Sequence, residues 1–122
     1  MELGIDVRTL EGVAILDVVG EVDLSTAPQL EEGLRKAATA SPPLVAVNLT
    51  RVTYIDSTAL RVLTDGQKRV RDRRGMLVVI ADQPTIKKIF RITGLGTIVP
   101  VVATEREALA HLGVHPPIPP GG

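Results

Sequence analysis

Apolar and polar residues alternate at the start of the chain, with Leu3, Ile5 and Val7 separated by Gly4, Asp6 and Arg8. A period of two predicts a half-buried strand. Glu11-Gly12 is a turn signal, and Val13–Val19 is then nearly continuous in apolar residues. Such a run fits a strand covered on both faces, so the two segments are expected to form a hairpin. From Thr26 the period changes. Leu30, Leu34, Ala37 and Ala38 recur at helical spacing beside Glu31, Glu32, Arg35 and Lys36, which predicts an amphipathic helix. Thr26 and Gln29 have the spacing of a capping box, Pro28 is tolerated in a first turn, and Ser41-Pro42-Pro43 ends the helix.

The alternation of strand and helix signals continues. Leu44–Leu49 reads as a buried strand and Thr50–Asp56 as a short loop. Ser57 to Arg73 reads as a helix with Ala59, Leu63, Gly66 and Val70 on its inner face, closed by Gly75. Met76–Ala81 reads as another buried strand. Asp82 is placed as the cap of the next helix, with Pro84 near its start and Ile86, Ile89 and Phe90 on one face. Gly94 supplies its left-handed stop, with Leu95 folding back. Ile98–Val102 reads as a short strand that Pro100 confines to an edge. Thr104 and Glu107 form a capping box for a helix over Glu105–Leu112. The order β-β-α-β-α-β-α-β-α predicts an α/β fold, a mixed, mostly parallel sheet packed with about four α-helices. Residues 1–113 are expected to be one domain, and the Pro- and Gly-rich residues 114–122 a tail without fixed structure.

Composition narrows the function. The 122 residues suit one domain. Lys+Arg and Asp+Glu each total 14, so no broad basic field is available for nucleic acid or anionic membrane. Only 2% of residues are aromatic, which argues against gripping bases by stacking. With no cysteine, thiolate metal sites, disulfides and Cys nucleophiles are excluded. No apolar run approaches the ~20 residues of a membrane span, and the N-terminal residues lack the pattern of a secretory signal. A cytoplasmic location is the expectation.

Candidate catalytic groups are sparse. His111 and His115 lack an evident carboxylate or nucleophile partner, and no metal-binding histidine spacing or phosphate loop occurs. Gly94-Leu95-Gly96 lacks the third glycine of a dinucleotide fingerprint. Asp56 adjacent to Ser57 cannot act as the base of a triad. These absences point to a chain that is not an enzyme and that has no cofactor or metal. Arg61, Lys68, Arg69, Arg71, Arg73 and Arg74 cluster in one helix, but Asp65 and Asp72 stand at pairing distance in the sequence, which predicts a solvated, salt-bridged face. The sharpest feature is Tyr54-Ile55-Asp56-Ser57-Thr58-Ala59-Leu60, where hydroxyl residues stand at the passage from loop to helix. Asp56, Ser57 or Thr58 can cap the helix. A phosphate on such a hydroxyl would be tolerated by the helix N-terminus and would add ~1.5–2 negative charges beside Asp56.

Three spaced motifs carry a family resemblance. Gly20-Glu21-Val22-Asp23 with Thr26-Ala27-Pro28-Gln29-Leu30, then Val47 to Ser57, then Phe90-Arg91-Ile92-Thr93-Gly94-Leu95, resemble the motifs of sulphate transporter and anti-sigma factor antagonist (STAS) domains. The resemblance spans about Leu3 to Leu112 and is strongest to small bacterial anti-sigma factor antagonists. It implies that the unphosphorylated domain binds an anti-sigma factor that is also a serine kinase with a histidine-kinase-like ATPase fold, so releasing a sigma factor. It also implies phosphorylation at Ser57, which switches binding off, and a serine phosphatase that resets the switch. Glu21, Asp23, Asp56, Thr58, Ala59 and Leu60 would form the partner contact, without direct nucleic acid or membrane binding. Ser57-Thr58-Ala59 stands where the family commonly has Ser-Ser-Gly. The alternative reading is a non-switching STAS subunit of a transport or signalling complex.

Overall fold

The computed structural model describes residues 3–114. Glu11 and Gly12 both take positive φ, 51° and 81°, the type I′ geometry whose twist suits a tight hairpin. They join β1 (Gly4–Leu10) to β2 (Val13–Val22), paired antiparallel from Gly4 opposite Val19 to Leu10 opposite Val13. The chain continues through α1 (Ala27–Ala37), β3 (Leu44–Ile55), α2 (Ser57–Arg71), β4 (Met76–Ile80), α3 (Pro84–Thr93), β5 (Val101–Val102) and α4 (Glu105–His111). The sheet has the order β1-β2-β3-β4-β5, parallel after the first pair.

This order decides the layers. Each parallel strand is added on the same side, and right-handed crossovers then place every connecting helix on one face. Ala27, Leu30 and Leu34 of α1, Leu60, Leu63 and Val70 of α2, and Ile86 and Phe90 of α3 pack there against Leu16, Val47, Leu77 and Val79. The opposite face is left to α4, whose Ala108 and Leu109 cover Val13, Ile15, Ala46, Val78 and Ile80. Neighbouring strand residues thus feed different layers, which explains the continuous apolar runs.

Several expectations are corrected. Thr50–Ile55 is not a loop but the second half of β3, because Val19–Val22 of β2 supplies its ladder from Arg51 to Ile55, with one register irregularity just before Val19 and another between Gly20 and Glu21. Asp82 does not cap α3; the N-cap is Gln83, with no side-chain cap. The Gln83 amide instead donates to the carbonyls of Leu49 and Val52, both at 2.7 Å, where β3 runs beyond β4. Thr26 is the N-cap of α1 without a side-chain cap, so its box with Gln29 does not form. The last strand is only Val101–Val102, because Leu95–Thr97 winds into a 3-10 turn and Ile98 keeps a helical backbone. Arg74, not Gly75, takes the left-handed conformation after α2. Gly75 is required for a different reason: a Cβ there would lie 1.9 Å from the Pro43 carbonyl oxygen.

The helix over Glu105–His111 is capped as expected, Thr104 accepting from the Glu107 N–H at 3.1 Å. The basic face of α2 is exposed, but among the described residues Asp65 and Asp72 close no ion pair with Lys68 or Arg69. Arg73 instead donates to the carbonyls of Ala38 and Ala40. Val114, placed at the start of the tail, packs against the α4 layer and donates to Leu109 O at 2.8 Å. The rest of the expected tail, with His115, lies outside the described residues.

Candidate functional site

The site lies at the carboxyl ends of β2 and β3, where the sheet hands the chain to α1 and α2. Val22 pairs with Ile55 as the last rung of that ladder, and Asp56 N–H then donates to Val22 O at 3.2 Å. The loop carrying Asp23 and the start of α2 therefore stand side by side. In open α/β sheets such carboxyl ends are the usual place for recognition.

Asp56 has extended backbone and caps α2. Its Oδ1 accepts from the N–H groups of Thr58 at 2.9 Å and Ala59 at 3.2 Å. This resolves which of the local polar residues does the capping. Ser57 is the first helical residue and is exposed. Among the described residues its hydroxyl makes no hydrogen bond that the cap requires. Thr58 is half-buried. Ala59 and Leu60, expected on the contact surface, are turned inward at 0% and 7% exposure. Ala59 has no side-chain surface to offer a partner; its contribution is to seat the first turn of α2 on the core.

Asp23 is committed to shaping its own loop. Its Oδ1 accepts from Ser25 N–H at 2.9 Å, Ser25 Oγ at 2.7 Å and Thr26 N–H at 3.1 Å. The Ser25 hydroxyl, with the backbone donors, holds the Asp23 carboxyl below its ordinary pKa. Thr26 Oγ1 donates to Glu21 O at 2.8 Å and accepts from Asp23 N–H at 2.9 Å. The hydroxyl read as a helix cap thus locks the loop to the end of β2. Glu21 lies opposite Tyr54 in the ladder. Two apolar residues outside the expected contact set are exposed in the same stretch: Leu24, 76% exposed, and Tyr54, 51% exposed. A leucine between Asp23 and Ser25, in a loop with no core to join, was the available signal.

The end of the β2–β3 ladder thus brings the stretch that carries Glu21 and Asp23 beside Asp56 and the exposed Ser57, with Leu24 and Tyr54 exposed in the same segments. Among the described residues no side chain that could act as a base is hydrogen-bonded to the Ser57 hydroxyl. A family model of the STAS domain matches residues 4–108. The chain belongs to the STAS family. The anti-sigma-B factor antagonist of Listeria monocytogenes is 34% identical over 90 residues, covering 74% of this chain and 79% of its own length. An anti-sigma factor antagonist from Mycobacterium paratuberculosis superimposes with a TM-score of 0.83 at 28% identity, covering 91% of this chain and 94% of that one. Unphosphorylated SpoIIAA, at 19% identity, shares the fold with a TM-score of 0.73 over 90% of this chain and 96% of its own. These STAS relatives are regulatory binding proteins, not enzymes. Among the described residues no helix is long and apolar enough to cross a membrane.

Proposed function

We propose that this STAS domain is an anti-sigma factor antagonist switched by phosphorylation at Ser57. The observation that carries the reading is the division of labour at the start of α2: Asp56 satisfies the first backbone donors, so Ser57 remains exposed and chemically spare. The unphosphorylated domain binds an anti-sigma factor serine kinase of the histidine-kinase-like ATPase type, and the sigma factor is released. Glu21, Asp56 and Thr58, with Leu24 and Tyr54, form the contact; Asp23 holds the loop in shape. The antagonist role of the Listeria monocytogenes relative supports the coarser part of this reading.

Phosphoryl transfer moves the γ-phosphoryl of ATP to Ser57 Oγ, releasing ADP and the hydroxyl proton. The new dianion cannot take the Thr58 and Ala59 N–H groups without displacing Asp56. It therefore projects outward beside Asp56, adding ~1.5–2 negative charges where the kinase must dock. A serine phosphatase restores the binding form. The domain acts in the cytoplasm, without direct nucleic-acid or membrane contact.

Intact-mass spectrometry after incubation with ATP and each anti-sigma kinase of the source organism tests this. One added phosphate is expected, absent in Ser57→Ala and retained in Thr58→Ala. A phosphate that persists in Ser57→Ala, or no modification by any kinase, refutes the switch.

A further inference from the structure

The outer edge of β1 carries a register code for a second copy of itself. Leu10 and Val13 close the two-residue hairpin, so they are a hydrogen-bonded pair. Alternation along an antiparallel ladder then directs the backbone groups of Gly4, Asp6, Arg8 and Leu10 toward β2. Those of Ile5, Val7 and Thr9 point away from the sheet, and among the described residues no strand pairs with that side. Val7 is 50% exposed. It borders a groove between β1 and α1 lined by Leu3, Ile5, Pro28 and Gly33 together with Glu32 and Lys36.

We propose that two copies of the chain pair antiparallel through β1 about a two-fold axis at Val7. In this register Val7 meets Val7, and Ile5 meets Thr9 twice. All three are hydrogen-bonded positions, so every outward N–H and C=O over these residues finds a partner. Asp6 meets Arg8 twice in the intervening positions. Shifting the two-fold to Asp6 sets Asp6 against Asp6, and shifting it to Arg8 sets Arg8 against Arg8. Like charges directly opposite destabilise a pair. Charges on an edge strand ordinarily deter pairing; here they forbid the adjacent registers and favour one. The geometry is ready on the arginine side. Arg8 is fixed by Asp17 through Nε at 2.5 Å and Nη2 at 3.0 Å, and by Glu105 through Nη2 at 2.6 Å. Nη1 makes none of these bonds and can donate to the incoming Asp6 carboxylate. The result is one continuous sheet across the axis, with the α1 helices of both copies on the same face. The proposal rests on edge geometry and is independent of the role of Ser57.

Sedimentation of the full chain at rising concentration, up to its solubility limit, is expected to show a monomer–dimer equilibrium. Asp6→Arg makes both charge pairs repulsive and is expected to weaken association about tenfold. Asp6 makes no side-chain bond within its own chain among the described residues, so folding, checked by circular dichroism, is expected to persist. Because the chain has no cysteine, Val7→Cys introduces a unique thiol. A hydrogen-bonded pair sets the two Cα atoms ~5.5 Å apart, within disulfide reach. Mild oxidation is expected to cross-link Val7→Cys much faster than Ile92→Cys, an exposed position on α3. A chain monomeric to its solubility limit, a dimer unaffected by Asp6→Arg, or equal cross-linking of the two thiols overturns the proposal.

Discussion

At the scale of single residues, the site depends on which polar group takes which backbone donor. Local sequence allowed Asp56, Ser57 or Thr58 to cap α2, because all three residue types serve as caps. The extended backbone at Asp56 decides it, and Ser57 is left spare. Asp56→Ala is therefore expected to cost about 1 kcal/mol in urea unfolding, whereas Ser57→Ala should change stability by less than ~0.5 kcal/mol. An equal loss in both variants would mean that the cap is shared. A second residue-scale expectation concerns acid. Arg8, with a further bond from Asn48, holds the Asp17 carboxyl below its ordinary pKa. A depressed carboxylate contributes stability that is complete above the unfolded value, about 3.9, and drains as pH falls through the lower folded value. Asp17→Asn is expected to flatten the decline in thermal midpoint below about pH 4. An unchanged acid limb would show that the Arg8 pair does not contribute.

At the scale of elements, periodicity and cap signals located all four α-helices and all five strands, the fifth expected from Ile98 and found only at Val101–Val102; the largest error in extent, the loop expected over Thr50–Asp56, fell where a distant partner intervened. Thr50, Arg51, Thr53 and Tyr54 lack the apolar run of a buried strand, yet β2 holds them in its ladder. Gln67 is the clearest omission from the expected inner face of α2. It is 1% exposed. Its Oε1 accepts from Leu77 N–H at 2.8 Å, and its Nε2 donates to Leu77 O at 2.9 Å and Ile98 O at 3.0 Å. A glutamine at helical spacing looks like surface until the backbone it serves is known. Gln67→Leu leaves the buried Leu77 groups unpaired, at about 1–3 kcal/mol for each orphan. Its unfolding midpoint is expected to fall accordingly, and a neutral effect would mean that water replaces the amide.

At the scale of the whole molecule, α1–α3 lie on one face and α4 on the other, and Ser57 sits at the strand ends. A charge added there meets solvent and not core. Ser57→Asp is thus expected to keep the circular dichroism spectrum and cooperative unfolding of the parent while binding the kinase more weakly in titration calorimetry. Loss of the fold in that variant would contradict a switch that works by surface charge. The same architecture leaves β1 as an open edge, far in topology from the parallel strands β4 and β5.

Features that depend on near neighbours were legible along the chain. Hairpin turn, helical stripes, the Thr104 cap and the left-handed Gly94 follow from residues within a few positions of one another, and the three STAS motifs identify the family from their order. Tertiary structure alone decided which of several locally competent groups is used. Thr26 could cap its own helix but reaches back to Glu21, Ala59 could face a partner but is claimed by the core, and Gly75 is required by Pro43, far away along the chain. The reason is physical: side chains and backbone groups have several satisfactory local partners, and only the packing of distant segments removes the alternatives by burying some and leaving others, such as Ser57, in water.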